Sequence, residues 1–130
     1  MYKTSLLVLG VLWLASCKKD NNSTRVETLL TIDSTKTPAA ATLNTAFTAR
    51  VRATGANLCY RFERMHVDST APREWAVRTI GSVQQGGACA QALYRVDTTV
   101  TIKPGLPGQH IVRYYNSGNS LFKADTVVVN

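Results

Sequence analysis

From residue 25 onward, apolar side chains recur at every second position. Phe47, Ala49, Val51 and Ala53 alternate with Thr48, Arg50, Arg52 and Thr54, and Ala92, Tyr94, Val96, Thr98, Val100 and Ile102 alternate with Leu93, Arg95, Asp97, Thr99 and Thr101. A period of two belongs to strands with one face on a core and the other in water. No stretch of ten or more residues carries helical spacing. Taking Gly, Pro, Asn and Asp as punctuation, the pattern predicts about seven strands, over 26–33, 44–54, 58–67, 74–83, 89–102, 109–116 and 121–129. The gaps fall at 34–42, 55–57, 68–72, 84–87, 104–108 and 117–119. Short strands at regular spacing predict an all-β chain, a two-sheet sandwich around one core, over residues 25–130.

The N-terminus is built differently. Met1 to Ser5 carry Lys3, Leu6 to Ala15 form an almost unbroken apolar run, and small residues close it. Those are the marks of an export signal, and about ten apolar residues are too few to span a ~30 Å hydrocarbon core. Leu14-Ala15-Ser16-Cys17 resembles the lipobox of bacterial lipoproteins. The resemblance implies removal of residues 1–16, acylation of Cys17, and an exported chain anchored in the cell envelope. The charged residues directly after Cys17 resemble signals that sort lipoproteins to the outer membrane, on its periplasmic or surface face. Two or more acyl chains would make that anchor stable. The polar stretch 18–24 reads as a flexible tether.

With Cys17 used in this way, Cys59 and Cys89 remain, in a compartment where disulfides persist. A bridge between them is expected. The alternative is a metal site from Cys59, His66, Cys89 and His110, which lacks the close ligand pairs usual for zinc. In a flat meander, the ends of two strands separated by a third lie about 9–10 Å apart, beyond disulfide reach. A bridge therefore requires the chain to fold over the sheet end, or the later strand to change sheets.

Residues 103–129, with Gly108, His110, Val112 and a hairpin at Ser117-Gly118-Asn119, are similar to the F–G hairpin of immunoglobulin-like domains. In that family a Tyr occupies the corner where His110 stands, and often a Cys where Val112 stands. The resemblance implies an immunoglobulin-like β-sandwich without the inter-sheet disulfide, and makes His110 a hydrogen-bonded corner residue. Asp33-Ser34-Thr35, Asp68-Ser69-Thr70, Asp97-Thr98-Thr99 and Asp125-Thr126-Val127 resemble an O-glycosylation acceptor pattern of exported bacterial lipoproteins. The first two are expected in loops, the last two in strands.

The chain has 15 Lys and Arg against 8 Asp and Glu, a formal net charge of +7, and the surplus survives removal of the leader. It favours anionic partners, an acidic glycan or an envelope component ahead of nucleic acid. Arg50, Arg52, Arg61, Arg78, Arg95 and Arg113 all fall out of phase with core positions. They make a candidate ligand face, with Tyr115, Tyr60 or Trp75 stacking beside them. Its bland counterpart is a solvated face whose charges prevent edge pairing. No nucleophile elbow, phosphate-cradling loop or facing carboxylate pair appears, so neither catalytic residues nor a cofactor is expected. The expected function is binding at the envelope. The alternative is a structural or inhibitory lipoprotein acting through an exposed edge strand, and a small hydrolase ranks third.

Overall fold

The computed structural model describes residues 24–130. The leader, Cys17 and residues 18–23 of the tether lie outside the described residues. Nine strands form: β1 (Arg25–Leu29), β2 (Thr31–Lys36), β3 (Ala40–Ala41), β4 (Phe47–Gly55), β5 (Tyr60–Ala71), β6 (Glu74–Gln84), β7 (Tyr94–Ile102), β8 (Gly108–Asn116) and β9 (Ser120–Val129). The expected all-β class holds, and most pairings are antiparallel.

One sheet has three strands, in the order β2-β4-β7. The other has six, with β6 at its centre. β5 lines one edge of β6, while the opposite edge is shared: β1 pairs antiparallel with its second half, and β8 runs parallel to Glu74–Val77 in its first half. β9 follows β8, and β3 runs parallel to the end of β9.

The alternation places the core. Ile32, Phe47, Ala49, Val51, Val100 and Ile102 from the three-stranded sheet form one buried cluster with Val77, Val112, Tyr114, Val127 and Val129 from the six-stranded sheet. Withdrawing each such aliphatic side chain from water stabilises the fold by about 1.5–3 kcal/mol. Two polar clasps join the sheets at the edge of this cluster. The Asn116 carboxamide accepts from the Ile32 N–H at 2.7 Å and donates to the Ile32 carbonyl. Tyr114, fully buried, donates to Thr37 Oγ1 at 2.6 Å, because the single Thr37 proton goes to Asp125 Oδ2 at 2.7 Å. Burial pushes the Tyr114 hydroxyl pKa up.

Four expected boundaries are corrected. The single strand 26–33 is two, because the chain crosses between sheets at Leu30, whose N–H still donates to Thr79 of the six-stranded sheet at 2.9 Å. The next residue, Thr31, already pairs with Thr54. The 44–54 strand starts at Phe47, after a turn in which Asn44 has a φ of 59°. The turn expected at 68–72 is strand: Asp68 pairs with Ala76 and Ser69 with Trp75, and the reversal occurs at Pro72-Arg73, where Arg73 has a φ of 67°. Residues 89–93 are not strand; β7 begins at Tyr94. All four Asp-Ser/Thr motifs consequently lie in strands, including the two expected in loops.

Cys59 and Cys89 are bridged, with their Cα atoms 5.4 Å apart. The geometry is that of the second route, since β6 and β7 belong to different sheets and the loop carrying Cys89 connects them.

Candidate functional site

The six candidate arginines divide between the two sheets. Arg50 and Arg52 on β4 and Arg95 on β7 are exposed on the outside of the three-stranded sheet; Arg61, Arg78 and Arg113 belong to the six-stranded sheet. One continuous arginine face does not form.

The outer surface of β2-β4-β7 follows directly from the register. Arg52 pairs with Ser34 on one side and Asp97 on the other, Arg50 with Lys36 and Thr99, Thr48 with Thr101, and Thr54 with Thr31 and Arg95. Four cations thus share a small polar face with two carboxylates and several hydroxyls. Shallow clefts open on it, lined by Asp33, Arg52, Arg95 and Asp97 in one place and by Ser34, Lys36, Arg50 and Arg52 in another. A third lies where Lys36 and Arg50 meet Thr48, Thr99 and Pro38.

The carboxylates neutralise two of the cations. Asp97 accepts two hydrogen bonds from Arg50, one of them from Nε at 2.8 Å. That contact holds the Asp97 carboxyl pKa down and the Arg50 guanidinium pKa up. Asp33 stands 3.8 Å from Arg52. Lys36 and Arg95 have no carboxylate at ion-pair distance among the described residues. Lys36 flanks Arg50 and Arg95 flanks Thr54, four residues further along β4, so these two cations stand at opposite corners of the face with Arg50 and Arg52 between them. Guanidinium and ammonium donors suit a carboxylate, sulfate or phosphate.

Lys36 is the member that the alternation missed. A bulge between Ile32 and Ser34 resets the phase of β2. Ile32 faces the core, yet Ser34 and Lys36 face outward beside Arg52 and Arg50. The same reset turns Thr35 inward, where its hydroxyl is buried without a partner among the described residues.

The other three arginines are occupied locally. Arg61 reaches Glu63 at 3.3 Å, and Arg113 reaches Glu74 at 3.0 Å. Arg78 lies over the Tyr115 ring, 4.8 Å from its centroid, and donates to Asn119 Oδ1 at 3.0 Å. Of the aromatic partners named from the sequence, only Tyr115 stacks on an arginine. Trp75 is turned toward the core cluster, and Tyr60 packs against Gly55.

His110 is 1% exposed and hydrogen-bonded on both ring nitrogens, so it is held in the fold and not presented to a substrate. The metal alternative fails on chemistry, because Cys59 and Cys89 are bonded to each other and His66 is hydrogen-bonded to Asp68. Comparison of the chain with protein-family models, with curated proteins and with solved structures finds no match.

Proposed function

We propose that this chain is an exported, lipid-anchored module of immunoglobulin-like sandwich type that binds an anionic ligand at the cell envelope. The outer face of β2-β4-β7 is its binding surface. The observation that carries the reading is the convergence of Lys36, Arg50, Arg52 and Arg95 on that face, with Lys36 and Arg95 free of ion pairs among the described residues. The face has no arrangement of nucleophile and base, so binding is preferred to catalysis. The anchor is carried by Cys17 and its lipobox.

The test is retention of the protein on a sulfated polysaccharide resin as salt is raised. Arg52→Ala with Arg95→Ala lowers the eluting salt concentration, while Arg61→Ala with Arg78→Ala leaves it nearly unchanged. Absence of retention at low salt overturns the ligand-binding reading. For the anchor, Cys17→Ala releases the protein from membranes; unchanged membrane retention contradicts it.

A second reading rests on β7, which among the described residues pairs as a strand with β4 only. A partner strand adding to its open edge would extend the three-stranded sheet, as in recognition by strand addition. Co-purification of an envelope protein without any binding to a glycan array favours this alternative.

A further inference from the structure

The end of the molecule at which the N-terminal chain enters differs from the rest in its chemistry. Gln85 donates its N–H to the Thr24 carbonyl, Gln84 to Cys59, and Leu58 to Ala90. The first residue of β1, Arg25, donates through Nη2 to the Cys59 carbonyl at 2.9 Å and through Nε to Ser82 at 2.9 Å. The tether exit, the disulfide and two loops, 55–59 and 85–93, are thereby fastened into one surface. Neither loop contains a charged residue, although 18% of the chain is charged. Leu58 is 52% exposed and Leu93 53%. At the opposite end the exposed Leu106 stands in a loop hydrogen-bonded by Arg73 and preceded by Lys103.

We infer that this disulfide-bridged end, whose two loops carry no charge, docks on the lipid surface in which Cys17 is anchored, with Leu58 and Leu93 entering the boundary between headgroups and acyl chains. The inference rests on the reading of Cys17 as a lipid anchor. From Cys17 to Thr24 the chain spans at most about 25 Å when fully extended, so the anchor keeps this end close to the bilayer. Lys18 and Lys19, next to the anchor, add attraction to anionic lipid. Apolar side chains presented from loops without charged residues partition into that boundary. The face of β2-β4-β7 then stands at the side of the module, open to ligands.

The experiment places one added tryptophan in the full, acylated protein. It is reconstituted into vesicles of phosphatidylethanolamine and phosphatidylglycerol whose acyl chains carry bromine. Against the constant signal of Trp75, Leu58→Trp and Leu93→Trp give blue-shifted emission that the brominated lipid quenches. Gly105→Trp, in the opposite loop where an added Cβ meets nothing within 4 Å, gives neither effect. A cooperative urea unfolding transition shows that each variant is folded. Vesicle-bound protein in which Leu58→Trp and Leu93→Trp are quenched no more than Gly105→Trp overturns the docking and leaves the anchor standing. A blue shift without quenching means that another protein or a second copy covers the surface, and also overturns it. Protein that lacks an acyl adduct on Cys17 and stays free of vesicles overturns the anchor and the docking together.

Discussion

Trp75 Nε1 donates to His110 Nδ1 across 3.1 Å and so decides which tautomer the imidazole adopts. Indole nitrogen is only a donor, so Nδ1 must accept and Nε2 carries the proton that goes to the Leu106 carbonyl at 2.7 Å. The contact ties β6, the start of β8 and the loop before it into one corner. Trp75→Phe keeps an aromatic side chain of smaller size and deletes the donor, leaving a buried nitrogen without its partner. A loss of about 1–3 kcal/mol in unfolding free energy is expected from a urea titration. His110→Phe, which removes both polar atoms of the ring, also orphans the Leu106 carbonyl and the Trp75 N–H, and is expected to cost more.

Reduction of the Cys59–Cys89 bridge frees a loop of 30 residues. In the chain-entropy description this lowers stability by about 3–4 kcal/mol. The Cys59→Ala/Cys89→Ala variant is expected to unfold at a correspondingly lower urea concentration, and added dithiothreitol should bring the parent protein to the same midpoint.

Gly81 has no room for a side chain. A Cβ there would sit 2.7 Å from the Arg61 carbonyl oxygen and 2.7 Å from Leu30 Cγ. The first is backbone of the neighbouring strand and cannot swing aside. Gly81→Ala is expected to destabilise by about 1–3 kcal/mol, whereas Gly105→Ala, which meets nothing within 4 Å, leaves the melting temperature nearly unchanged.

Two carboxylates make the fold sensitive to acid. The hydrogen bond from Arg50 holds Asp97 below its ordinary pKa, and the Ser82 hydroxyl does the same for Glu63. A carboxylate whose pKa is lower in the folded state contributes its stability above the unfolded pKa and loses it as pH falls through the folded value. Stability should therefore decline below about pH 4. Because both groups are exposed, added salt should shrink the effect. Asp97→Asn is expected to flatten part of that decline in denaturant titrations at pH 2–5. By releasing Arg50, the same substitution should raise the salt needed to elute the protein from a sulfated resin.

The arrangement of strands was legible wherever alternation ran unbroken, as in β4, where the outward placement of Arg50 and Arg52 follows from Phe47, Ala49, Val51 and Ala53. It was illegible where the chain changed sheets without losing phase. Leu30 and Ile32 are both 1% exposed and in step, so nothing in their spacing marks the crossing between them. Asp68 and Ser69 have the composition of a turn, but β6 offers them partners, and pairing overrides propensity. Lys36 was missed because a bulge is a geometric event with no residue signature at Asp33-Ser34. The alternating alanines 88, 90 and 92 imitate a strand, yet Gly86 and Gly87, with φ of 77° and 85°, turn that segment into the loop that carries Cys89.

The placement of β1 also governs when the molecule can assemble. Among the described residues Arg25–Leu29 is the first strand to be made, but its partners are on Ile80–Gln84, and Arg25 bonds to a serine 57 residues further along. Until most of the chain has been synthesised, that segment has nothing to pair with, and contacts so distant in sequence form slowly. The consecutive strands β5 and β6 pair locally, whereas β1 seals the edge of β6 only late in the assembly of the chain.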